Sequence, residues 1–181
     1  MPTSLSCSKS FSPIVVENFL SDVEFSSLAE EFKYLNWSLC NWSDSSNPFL
    51  FFGVPLTQRP QHLFNFASSV SLRTRKHLHS KLKFVRLHIN GQVFGQEGQF
   101  HRDSLEPDFV SVLLFTNSFW DVCWGGGFSY IFPNTMDVKT VAYQPNRAVI
   151  FPSNMLHCGQ SPSRCTDVFR TSVVFVFKRY D

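Results

Sequence analysis

Two hydrophobic rhythms divide this chain near residue 80. In the first part, Val23, Leu28, Phe32 and Leu35 recur at near-helical spacing, which predicts a helix with one buried face. Ser21 and Glu24 form an S-x-x-E capping box at its start, and the apolar beginning of "VVENFLSDVEFSSLAEEFKYL" predicts a short strand before it. Residues 36–60 are rich in Asn, Ser and Pro around an apolar island, "FLFFGV", and read as loop, short strand and loop. Pro60 suits the first turn of a second helix running to about His79. From residue 81 the pattern becomes short β-branched and aromatic runs: "KFVRLHI", "FVSVLLFTN", "GGFSYIF", "VKTVAY", "RAVIF" and "FRTSVVFVFK", separated by Gly, Pro and Asn turns. The expectation is one α+β domain over 1–181. Its core is a double-stranded β-helix (jelly roll) at about 81–178, flanked by N-terminal helices within about 18–80 that cover one sheet's outer face.

Composition changes this picture little. Hydrophobic residues make up 43% and charged residues 17%, which excludes a disordered chain. The 21 Phe suit strands and an aromatic core without selecting a function. A net charge of +2 is too near neutral to imply nucleic acid by bulk attraction. No signal peptide and no membrane span is read, and the five scattered cysteines fit reduced thiols, so the expectation is a cytoplasmic protein without a membrane partner.

Candidate chemistry begins at "GQFHRDSLEP". His101 and Asp103 stand at i and i+2, which on an extended backbone puts both side chains on one side. They follow the turn-rich "NGQVFGQEGQ", where a site can sit at a sheet's open end. His157 comes after an apolar strand that ends at Pro152 and a turn, in "NRAVIFPSNMLHCGQSPS". Two His and one carboxylate on one face match the facial arrangement of non-haem Fe(II) oxygenases, with three coordination positions open. A satisfied loop histidine is the ordinary alternative for His157. Arg170 interrupts the apolar strand "FRTSVVFVFK"; pointing inward it requires an anion, pointing outward it is an edge residue. Ser172 lies on the same face two residues on.

Taken in order, His-x-Asp, "WGGGF", "PNRAVIFPSNMLH" and Arg-x-Ser on the last strand resemble the 2-oxoglutarate and Fe(II)-dependent dioxygenase superfamily, nearest its prolyl hydroxylase-like branch. The likeness extends over nearly the whole chain, including "IVVENFLSDVEFSSLAEEF", "VRLHINGQVFGQEGQFHRDS" and "LLFTNSFWDVCWGGGFSYIF". It implies that His101, Asp103 and His157 hold Fe(II). It further implies that Arg170 binds the distal carboxylate of the co-substrate 2-oxoglutarate with Ser172 nearby, and that O2 is consumed, with ascorbate a compatible reductant. Asn90 falls where relatives often place a polar or Tyr contact to the co-substrate, although it also reads as a turn-initiating Asn before Gly91. Two departures stand out: Phe115-Thr116-Asn117 replaces a common Tyr-Leu-Asn, and Gly127 stands where an acidic residue often follows the paired glycines. The carboxylate of Asp103 points to hydroxylation, since halogenating relatives usually have a small residue there.

The resemblance leaves the substrate open. A peptidyl proline, another protein or an amino acid is one class, with residues 36–60 and the 118–126 loop, carrying Trp120 and Trp124, framing a cleft; core packing is the plainer use of those residues. Oxidative demethylation of nucleic acid is the second, through Arg73, Arg75, Lys76, Lys81, Lys83 and Arg86, which equally describe a solvated helix face; Arg179 is poorly spaced for a second nucleic-acid arginine. A jelly roll that binds a ligand without catalysis is the third. Cys123 and Cys158 lie near the site in sequence and read first as inert thiols.

Overall fold

The computed structural model describes residues 12–43, 49–132 and 135–180. After strand β1 (Ile14–Val16), helix α1 (Asp22–Phe32) starts at the expected capping box, with the Ser21 side chain accepting from the Glu24 backbone and Glu24 reaching back to Ser21. Its buried stripe is Leu28, Ala29 and Phe32. Val23, expected on that stripe, is 81% exposed. Five residues before Leu28 is about 140° around the helix, which turns it to solvent. Leu35 follows the helix and packs against the same core.

Strands β2 (Ser38–Asn41) and β3 (Phe51–Gly53) pair antiparallel; β2 carries no apolar alternation and was not expected. Helix α2 (Gln61–Leu78) begins one residue later than predicted, with Pro60 as its cap, and ends at His79 in the left-handed conformation, φ 52°. The six strands predicted from residue 81 onward then appear as β4 (Lys81–Gln92), β5 (Phe109–Phe115), β6 (Phe128–Ile131), β7 (Val138–Val141), β8 (Ala148–Pro152) and β10 (Arg170–Tyr180). A short β9 (His157–Gly159) is added where only a turn exit was read. Because β4 continues through Gln92, Asn90 is a strand residue and starts no turn.

A seven-stranded sheet in the order β1-β8-β5-β10-β4-β3-β2 faces a three-stranded sheet, β7-β6-β9, forming the expected jelly roll. Period-two alternation divides the large sheet into two uses. Its outer residues, among them Leu87, Ile89, Val112, Ile150, Phe175 and Phe177, form one core with Leu28, Phe32, Leu63, Ala67 and Val70 of the helices. Its inner residues Leu113, Phe115, Val149, Phe151, Val174 and Val176 form a second core with Phe128 of the small sheet. Both faces are dry, which is why β5, β8 and β10 read as continuous apolar runs. Truncating Phe175 to alanine is expected to cost ~3–5 kcal/mol, and Val23→Ala under ~0.5 kcal/mol, read as shifts in the urea unfolding midpoint.

Candidate metal and co-substrate site

The inner face of β4 turns polar toward the open end of the roll. Arg86, His88, Asn90 and Gln92 alternate into a cavity of about 220 Å³ that His101, Asp103, His157, Arg170 and Ser172 also line. The register explains the grouping, since Arg170 stands opposite Gln92 and Ser172 opposite Asn90.

His101 and His157 are brought together by the backbone. Each N–H donates to the other's carbonyl, at 2.8 and 3.0 Å, in an isolated antiparallel bridge. Their ring centroids lie 4.4 Å apart. Asp103 completes the group, with His101 Nε2 3.6 Å from Oδ1 and His157 Nε2 3.7 Å from Oδ2. One ligand atom from each of the three residues lies within 4.8 Å of the others. The tautomers are set by main-chain acceptors: His101 Nδ1 donates to the Gln99 carbonyl at 2.8 Å, and His157 Nδ1 to the Met155 carbonyl at 2.9 Å. The outer hydrogen bonds at Nδ1 turn both Nε2 atoms toward Asp103, the orientation such bonds give the histidines of metal sites. Ser111 donates to Asp103 Oδ2 at 2.5 Å and lies 2.8 Å from the Ser153 hydroxyl, which fixes the carboxylate's rotation.

The electrostatics suit a cation. Burial alone would raise Asp103, but the neighbouring His101 and His157 rings and the Ser111 hydroxyl hold it well below the usual carboxylate range. Burial pushes His157 down to about 4 and His88 likewise down to about 4, so both rings are neutral at pH 7.

Arg170 points inward and is only 1% exposed. Its Nε donates to the Gly126 carbonyl at 2.6 Å, and Nη1 to Gln92 Oε1 at 2.7 Å and Ser172 Oγ at 3.3 Å. Its guanidinium lies 5.6 Å from the Phe115 ring centroid and 5.5 Å from that of Tyr143. Gly126 adopts φ +73°, and a Cβ there would meet Trp120 at 2.9 Å and the Arg170 side chain at 3.2 Å, so the paired glycines give the arginine its room. Nη2 is buried without a hydrogen-bond partner, and no described carboxylate pairs with the guanidinium. Burial lowers its pKa only to about 10, so the charge persists at pH 7. A buried charge with one free donor edge has the chemistry to receive an anion.

The remaining expectations divide. Ser172 and Asn90 both line the cavity, and Asn90 Oδ1 accepts from Asn41 Nδ2 at 3.0 Å. The hydroxyl lacking at Phe115 is not supplied by Tyr143, whose single hydroxyl proton is shared between Asn117 Oδ1 at 2.6 Å and the Thr171 carbonyl at 2.8 Å. Trp120 is buried, donating to the Gly125 carbonyl at 3.0 Å and stacking on Tyr143, so it frames no cleft; Trp42 lines the cavity instead. The basic cluster disperses, because Arg73 pairs with Glu24 at 2.6 Å while Arg86 turns into the cavity. Cys158 is buried and its thiol is pushed up to about 11 by burial, which keeps it unreactive. Arg86, His88, Gln92 and Ser111 were not anticipated as site residues. The signal for the β4 set was present as polar residues at every second position of "RLHINGQ".

No family model matches the chain, and no curated protein matches its sequence. Solved structures do. A 2OG-Fe(II) oxygenase family oxidoreductase from Burkholderia pseudomallei superposes with TM-score 0.74 at 14% identity, covering 93% of this chain and 86% of its own. A Pseudomonas putida prolyl-4-hydroxylase gives TM-score 0.65 at 17% identity, with 93% of each chain covered. This chain has the fold of the 2OG-Fe(II) oxygenases. HygX from Streptomyces hygroscopicus, solved with nickel, 2-oxoglutarate and hygromycin B, gives TM-score 0.64 at 10% identity, covering 93% of this chain and 83% of its own. No described helix is long and apolar enough to cross a membrane.

Below an unfolded-state value near 6.5, unfolded His88 and His157 take up protons while the folded rings stay neutral until about pH 4. The metal-free protein is therefore expected to lose stability as pH falls from 6.5 toward 4, by on the order of 3 kcal/mol. Urea midpoints at pH 7.5 and 5.0 check this.

Proposed function

We propose that this protein is an Fe(II)- and 2-oxoglutarate-dependent dioxygenase that hydroxylates a C–H bond of its substrate. The observation that carries the reading is the unpaired, buried Nη2 of Arg170 in the same cavity as a His-Asp-His group whose ligand atoms lie within 4.8 Å of one another. Two neutral imidazoles and one carboxylate suit Fe(II) and leave positions for a chelating co-substrate and O2. Arg170 is placed to take the far carboxylate of 2-oxoglutarate, with the Ser172 hydroxyl beside it and Asn90 farther along the wall. When bound, iron and 2-oxoglutarate supply the activation of O2, with succinate and CO2 as co-products. The chain's own part is to hold these groups, orient the substrate and exclude water, which Leu113, Phe128, Phe151 and Val174 do along the apolar wall.

A protein or amino-acid substrate, including proline, is the finer reading. It is supported by a prolyl-4-hydroxylase among the structures of this fold and by the half-exposed Trp42 at the cavity. Dispersal of the basic cluster weighs against a nucleic-acid substrate. The free thiols among the described cysteines suit the cytoplasm.

Anaerobic titration of the metal-free protein with Fe(II) and 2-oxoglutarate is expected to produce the weak visible charge-transfer band of the chelate. His101→Ala should abolish the band, and Arg170→Ala should raise the 2-oxoglutarate needed by roughly 10- to 100-fold, the worth of a charge-assisted pair. A folded wild-type protein without the band overturns the reading and leaves a jelly roll that binds a ligand without catalysis.

A further inference from the structure

The cavity holds more positive charge than its co-substrate end uses. Arg86, Arg102 and Arg170 all line it, and Asp103 is the one carboxylate among its described lining residues. Arg170 and Arg86 mark opposite ends. Arg170 stands level with Gln92 on β4, and Arg86 lies six residues away along the same face, about 20 Å at the rise of a strand. The metal group lies toward Arg86, which donates through Nη2 to the Asp103 carbonyl. A co-substrate held by Arg170 and the metal therefore leaves Arg86 on the far side.

Arg86 is also held ready. Its Nε donates to His88 Nε2 at 3.1 Å, an acceptor that exists only in the neutral ring. Both groups it touches, His88 and the Asp103 carbonyl, are uncharged, and among the described residues it forms no ion pair. The guanidinium is thus oriented by two neutral acceptors, and Nη1 makes no hydrogen bond to the described residues. An arginine fixed in this way is arranged for bidentate capture of a carboxylate. The cavity, at about 220 Å³, must also take the co-substrate, so the part of the substrate that enters beside Arg86 is small.

Resting on the co-substrate reading above, we propose that Arg86 is the anchor for the primary substrate, and that this substrate is a free amino acid or similar small carboxylic acid whose carboxylate pairs with Arg86 across the metal site. The reaction balances as R–H, O2 and 2-oxoglutarate giving R–OH, succinate and CO2, with the C–H bond broken and the C–O bond formed on the acid bound at Arg86.

The test uses the full chain with Fe(II) and 2-oxoglutarate. The probes are the L-amino acids, beginning with L-proline, each beside its amide. Anaerobically, an acid that binds at Arg86 should shift the chelate band while its amide does not. In air, that acid should stimulate succinate formation. Arg86→Gln should raise its KM roughly 10- to 100-fold, and Arg86→Lys should fall between, since it keeps the charge and loses the fork. Absence of the band in wild type sinks the co-substrate reading itself. A wild-type band indifferent to every acid, or amides and proline peptides as effective as acids, overturns only the Arg86 assignment. So does an unchanged KM in Arg86→Gln, or loss of the band in both Arg86 variants, which would make the residue a support of the metal loop.

Discussion

A strand covered on both faces must be apolar on one and selective on the other. β10 meets this constraint most sharply. Val173, Phe175 and Phe177 pack under the helices, while Arg170 and Ser172 stand on the opposite face among the cavity groups. The helices supply the dry outer layer that holds the large sheet in place. Because the sheet is anchored from outside, its inner face is free to carry polar groups at one end, and the apolar residues Val174 and Val176 close the rest. A fully desolvated guanidinium survives there because Gly126, Gln92 and Ser172 take three of its donor contacts and two aromatic rings flank it.

The metal group depends on a different device. His101, on the segment after β4, and His157, at the start of β9, are far apart in the chain, and two reciprocal backbone hydrogen bonds set their spacing. Main-chain carbonyls then choose the tautomer of both rings, and paired serines choose the rotation of Asp103. The site is preorganised by backbone and small hydroxyls, which have few rotamers to lose on binding. Arg86 is tied into the same frame through the Asp103 carbonyl, which connects the charge at one end of the cavity to the group at its centre.

Residue types and their spacing by themselves determined the helix–strand division, the capping box at Ser21, eight of the strands, and the candidates His101, Asp103, His157, Arg170 and Ser172, to which the family resemblance added Asn90. Those features are legible because periodicity and capping are local, and because an arginine within an apolar run carries a visible desolvation cost. Tertiary structure alone decided the rest. It turned Val23 to solvent, since one residue's phase on a helix depends on which face the sheet meets. It made β2 and β9 strands, since both owe their extension to a partner: β3 for the first, β6 for the second. It extended β4 through Gln92, placed Arg86 and His88 in the cavity and Trp120 in the core, and left one edge of Arg170 without a partner. Each of these outcomes turns on which side of a sheet faces which neighbour, and a single chain read alone has no neighbours.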